Sequence, residues 1–178
     1  MIRRANFMIV SGNGRNTGKT SFVCRIISSV SKSNELTAIK VSPHFHTAKN
    51  EEVVIVKNEN FVVYEEIDRN NSKDSSRMLR AGATKVYYIE AKDTHLKEAV
   101  KALFENFHIE GPVICESGGL RSLIEPSLLI LLNKAGQSEM KPGFVKLLPR
   151  ADKIVQFNGT DFSFNPEKIG YDGLRWHL

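Results

Sequence analysis

Nine residues constrain this chain more than any others: Gly12-Asn13-Gly14-Arg15-Asn16-Thr17-Gly18-Lys19-Thr20, directly after the apolar run Phe7-Met8-Ile9-Val10. A buried strand runs into a glycine-rich turn, and Gly-Lys-Thr opens a helix predicted over residues 19–30. Backbone N–H groups in such a turn point at a common ligand. The helix N-terminus adds its positive dipole, so the segment is suited to phosphate. Gly12, Asn13, Gly14, Arg15, Asn16, Thr17 and Gly18 form the cradle, with Ser21 just beyond it. Lys19 reaches the β- and γ-phosphates, and the Thr20 hydroxyl ligates Mg²⁺.

The spacing departs from the common one, in which Gly, four residues and Gly-Lys-Ser/Thr follow each other. Asn13 stands where the first Gly belongs, and Gly12 lies one residue earlier. Asn tolerates left-handed backbone better than most residues. Either Asn13 takes the turn, or the loop is one residue longer and Gly12 takes it.

The 178 residues, 41% hydrophobic and 25% charged, fit one domain over 1–178 with a real core. The longest strongly apolar run, 128–132, is far too short to cross a bilayer. Arg3 and Arg4 lead straight into the first strand with no secretory apolar region between, so a cytoplasmic location is expected. Cys24 and Cys115 make no disulfide framework and read as small core hydrophobes. The net charge of +5 is scattered among acids and forms no basic tract interleaved with aromatics. That pattern favours phosphorylated small molecules over nucleic acid.

Strands are expected at 7–10, 36–41, 85–89, 113–116, 128–132 and 154–157. Helices are expected at 19–30, 73–81 (capped by Ser72) and 94–107. Residues 53–56 and 61–64 flank Asn58-Glu59-Asn60 and read as a hairpin. Apolar strands alternating with helices imply an α/β fold, a three-layer sandwich around a mostly parallel sheet with the hairpin near 53–64 inserted. Phe162, Phe164, Tyr171 and Trp176 indicate that the tail docks on the body.

Ligands of such sheets bind at the carboxyl ends of the strands. Glu116 closes a buried strand there, before Ser117-Gly118-Gly119. Its carboxylate suits Mg²⁺ or an attacking water. His44 and His46 lie in the loop after the second strand and are candidates for contact with a second ligand; a tight zinc site lacks further ligands nearby. Arg77 and Arg80 either steer phosphate or form a solvated face. Asn133-Lys134-Ala135-Gly136 has Gly where a guanine-reading Asn-Lys-x-Asp carries its acid, so it reads as coincidence.

Several of these pieces fall in one order. Asn16-Thr17-Gly18-Lys19-Thr20 is followed by Ile39-Lys40 before a His-bearing loop. Lys73-Asp74-Ser75 and Arg80-Ala81-Gly82-Ala83 come next, then Val113-Ile114-Cys115-Glu116-Ser117-Gly118. Over residues 7–120 this resembles the molybdopterin-guanine dinucleotide biosynthesis protein B family. Val41 replaces that family's His after Ile-Lys, and Ser117 replaces a Gly. The resemblance implies a P-loop NTPase fold of the SIMIBI type, binding of GTP or ATP with Mg²⁺, slow hydrolysis and dimerisation. It also implies partnership with a molybdenum-cofactor biosynthesis enzyme. It puts Lys40 beside the His44/His46 loop as second-substrate residues, and Glu116 as the acid. The stretched loop is also similar to that of dethiobiotin synthetase, which implies an ATP-dependent kinase or ligase instead. A nucleotide-gated adaptor without chemistry is the third alternative.

Overall fold

Residues 1–45 and 52–178 are described by the computed structural model. In chain order the elements are β1 (Ile2–Gly12), α1 (Lys19–Val30), β2 (Thr37–Ser42), β3 (Glu52–Lys57), β4 (Phe61–Glu66), α2 (Asp74–Arg80) and β5 (Lys85–Ala91). Then come α3 (Leu96–Asn106), β6 (Val113–Glu116), β7 (Ile124–Lys134), α4 (Pro142–Val145), β8 (Lys153–Phe157), β9 (Gly170–Tyr171) and β10 (Trp176–His177). Eight strands form one sheet in the order β3-β4-β5-β2-β6-β1-β7-β8. From β5 to β8 every pairing is parallel; β4 runs antiparallel to both β3 and β5. The architecture is α/β with a mostly parallel sheet, and the 53–64 hairpin forms one edge.

Successive side chains alternate across the sheet, so each central strand feeds two cores. Met8 and Val10 pack with Phe22, Ile26, Met78 and Leu79 under α1 and α2. Phe7 and Ile9 pack with Leu96, Val100 and Leu103 under α3. Helices on both faces explain why these strands read as unbroken apolar runs.

The connections position the crevice. After β1 the chain passes through α1 to β2, beyond β6; after β6 it goes to β7, on the far side of β1. Crossovers leave β1 and β6 in opposite senses, and the gap at their carboxyl ends is where such sheets take ligands.

Three local expectations need correction. β1 and β7 extend well beyond their apolar runs, because Arg3 and Arg4 continue the ladder opposite Glu125 and Pro126. Backbone pairing carries a strand past the residues that advertise it. Ser72 does not cap α2. Lys73 holds the cap position, where its side chain makes no capping bond to the helix, and the preceding turn is set by Asn71 Oδ1 accepting from Lys73 N at 2.8 Å. The third helix opens with a 3₁₀ turn at Asp93–His95 before α3.

The tail docks as its aromatics indicated. Trp176 is 2% exposed, and its Nε1 donates to Asn6 O at 2.9 Å. Phe162 meets Phe22 edge-on, with ring centroids 5.0 Å apart. Among the described residues no helix is long and apolar enough to cross a membrane.

Candidate functional site

The loop between β1 and α1 changes hand at alternate residues. Gly14, Asn16 and Gly18 have φ of +108°, +57° and +77°, whereas Arg15 and Thr17 between them keep negative φ. Backbone of alternating hand turns successive N–H groups towards one concavity, which suits an anion. Gly18 occupies the N-cap position of α1 and has no side chain to satisfy the first-turn N–H groups.

The first left-handed residue is therefore Gly14, neither Gly12 nor Asn13. Gly12 is needed for space: a Cβ there would come within 2.6 Å of Thr17 Oγ1 and 3.1 Å of Leu132 O. Asn13, 1% exposed, is a staple instead. Its Nδ2 donates to Asn133 Oδ1 at 3.0 Å and to Glu139 O at 2.7 Å, and its Oδ1 accepts from Lys141 N at 2.9 Å. Asn133, the first residue of the Asn-Lys pair, is thereby spent on holding the loop.

Lys19 folds back over the loop, donating from Nζ to Gly14 O at 2.6 Å and Thr17 Oγ1 at 3.1 Å. Burial pushes its pKa below the ordinary lysine value, and the nearby Glu116 charge does not make up the difference. Among the described residues, this ammonium is held by a carbonyl and a hydroxyl and has no direct counter-anion.

Thr20 donates from Oγ1 to Glu116 Oε2 at 2.8 Å. Glu116 is 2% exposed, and its other oxygen accepts from Lys40 Nζ at 2.5 Å. Lys40 Nζ also donates to Asp74 Oδ2 at 2.9 Å. Burial opposes the Lys40 ammonium, yet Glu116 and Asp74 together raise its pKa. Burial opposes the Asp74 carboxylate too, but Lys40 and Arg77 hold it below the usual carboxylate value. Arg77 bridges Asp74 Oδ1 at 3.4 Å and Ser21 Oγ at 2.9 Å, tying α2 to α1.

These groups line a cleft of about 1030 Å³ walled by residues 14–21, Lys40, Asp74, Arg77 and Glu116. His44 reaches it, with Nε2 3.4 Å from Arg15 Nη2. His46 lies outside the described residues. Arg80 is not on the wall; it donates to Arg69 O at 2.5 Å and Asn71 O at 2.6 Å. Gly12 and Asn13 lie behind the wall. Sequence reasoning assigned no site role to Lys73, Asp74, Tyr88, Glu90, Lys141 or Phe157, all on the wall. Alternation along β5 was a signal for Tyr88 and Glu90, and the end of β8 was one for Phe157. Lys141 had none, because the Asn13 staple that brings it in spans 128 positions.

Six cations (Arg15, Lys19, Lys40, Lys73, Arg77, Lys141) face the cleft against three carboxylates (Asp74, Glu90, Glu116). That balance draws in polyanions. Burial pushes the Cys24 thiol up to about 11 and the Cys115 thiol further, so neither is a ready nucleophile. Among the described residues no three His, Cys, Asp or Glu side chains gather around a metal position. Thr20 Oγ1 and Glu116 are hard oxygens side by side. They suit a cation that takes one or two protein ligands and completes its shell with phosphate and water. No family model, curated protein or solved structure matches the chain.

Proposed function

We propose that the chain binds a nucleoside triphosphate, GTP or ATP, together with Mg²⁺, hydrolyses it slowly and serves molybdenum-cofactor biosynthesis. One observation carries the nucleotide assignment: a loop of alternating hand, crossed by an ammonium with no counter-anion among the described residues, ends at a hydroxyl bonded to a buried carboxylate. The loop N–H groups and Lys19 hold the β- and γ-phosphates. Thr20 and Glu116 hold the metal, which when bound neutralises charge developing on the phosphoryl group. Glu116 also orients a water. The molybdenum-cofactor role is supported by the ordered motifs from Asn16 to Gly118 alone.

Calorimetry with Mg²⁺ and slowly hydrolysed triphosphates tests the assignment. Wild type binds and Lys19→Ala does not; equal affinity in the two overturns the reading. A thermal-shift panel of ATP, GTP and their diphosphates identifies the base, because a ligand specific to the native state raises its melting temperature.

A second reading has its own observation. The cleft continues past the loop to Ser42, Pro43, His44, Lys73 and Tyr88, which leaves room for an acceptor. A small-molecule kinase or ligase transfers the γ-phosphoryl group and releases the nucleoside diphosphate only when that acceptor is present. Phosphate release without an acceptor favours hydrolysis.

A further inference from the structure

Two lysines converge on one glycine of the loop. Lys19 Nζ donates to Gly14 O at 2.6 Å. Lys141 lies over the same residue, its Cε 3.6 Å and its Nζ 3.8 Å from where a Cβ on Gly14 would stand. A Cβ on Gly14 would be in ordinary contact with that side chain, so it is the positive φ of +108°, and not space, that calls for glycine.

Lys141 is held there by its backbone. Asn13 accepts from Lys141 N, donates to Glu139 O, and through its own carbonyl accepts from Gln137 Nε2 at 3.4 Å. Residues 137–141 are thus fastened to the loop at three points. Lys141 Nζ makes no hydrogen bond or ion pair with any described residue, so its exposed charge is free to meet a ligand. The other cations here have polar partners. Lys40 bonds Asp74 and Glu116, Arg77 bonds Asp74 and Ser21, and Arg15 meets His44. After burial and Lys40, the Lys141 charge is a further influence that lowers the pKa of Lys19. Two ammoniums brought towards one glycine repel each other unless an anion lies between them.

The end of the triphosphate concerned follows from Lys19. A lysine at that position serves the β- and γ-phosphates. Gly14, where Lys19 docks, therefore marks the terminal end of the cradle. Resting on the nucleotide reading above, we propose that Lys141 binds the terminal phosphate of the triphosphate, supplied in cis by the 137–141 segment, and that it makes the site prefer triphosphate over diphosphate. A cation of this kind neutralises the charge that accumulates on the transferring phosphoryl group.

The test is calorimetry in Mg²⁺ with β,γ-imido ATP and GTP analogues and with ADP and GDP, on wild type, Lys141→Met and Lys141→Arg. Wild type binds the triphosphate analogues; if it binds none, the nucleotide reading falls and this inference with it. Given binding, Lys141→Met weakens triphosphate about tenfold and diphosphate less than about twofold, and Lys141→Arg recovers most of the loss. Lys141 is exposed, so both variants melt close to wild type. Triphosphate affinity unchanged in Lys141→Met, or tri- and diphosphate affinities falling together, overturns the inference and leaves the nucleotide reading standing.

Discussion

Lys40 and Glu116 stand directly opposite each other on the parallel strands β2 and β6, and their Nζ and Oε1 atoms lie 2.5 Å apart. Residues in register share a face of the sheet, so the pair follows from strand order. Both side chains are largely withdrawn from water, at 16% and 3% exposure. Removing one member of a buried pair leaves the other charge uncompensated and costs about 3 kcal/mol. Lys40→Met is therefore expected to lose about that much in urea denaturation at neutral pH. The double variant with Glu116→Gln recovers part of it. A loss below about 0.5 kcal/mol, the range of exposed pairs, contradicts this account.

The same network sets a pH dependence. Asp74 has its folded pKa depressed below the 3.8 of the free side chain. Its contribution to stability is present above that value and is lost as pH falls through the lower, folded one. Lys40 has its folded pKa raised above 10.5, so its contribution is present below that value and lost as pH rises through the higher one. Urea midpoints followed from acid to alkali should decline at both ends. In Lys40→Met the acid decline flattens, because Asp74 has lost its main partner. An acid limb identical to wild type rules out the coupling.

Gly18 is fixed by two independent demands. Its φ is +77°, and a Cβ would come within 2.8 Å of both Phe157 and Phe162. Gly18→Ala is expected to cost about 2–4 kcal/mol. Gly143 lies in α4 with nothing near its Cβ position, so Gly143→Ala is neutral or mildly stabilising. Equal unfolding midpoints for the two variants would show that the loop tolerates the extra methyl group.

Mg²⁺ dependence tests Thr20. Thr20→Val keeps the shape but removes the donor that meets Glu116 Oε2 at 2.8 Å. Triphosphate affinity measured in EDTA should barely change. The gain on adding Mg²⁺ should shrink by about tenfold or more, or ~1.4 kcal/mol. A full Mg²⁺ gain in the variant removes Thr20 from the metal site.

Much of the frame was legible because it is written locally. Apolar runs marked the parallel strands, α1 matches residues 19–30, and Asn58-Glu59-Asn60 marked the hairpin. Glu116 was legible because an acid closing a buried strand is unusual. The misread parts are those where distant segments decide. Asn13 looked like a turn residue, and only Asn133, Glu139 and Lys141 reveal it as a staple. Asp74 stood only inside the Lys73-Asp74-Ser75 block with no role of its own, and it is the bond from Lys40 on β2 that brings it into the site. A spacing rule reads one stretch of chain at a time and cannot register contacts made across the sheet.

The docked tail also bears on when the molecule can complete itself during synthesis. Phe162 buttresses the start of α1, and Trp176 closes on the backbone at Asn6. A ribosome emits the motif-bearing residues first and these supports last. Contacts spanning nearly the whole chain form slowly, because a long loop must close before they bring any gain. A nascent chain released before residue 162 would carry every motif from Gly12 to Glu116 and still lack the wedge that shapes the turn at Gly18.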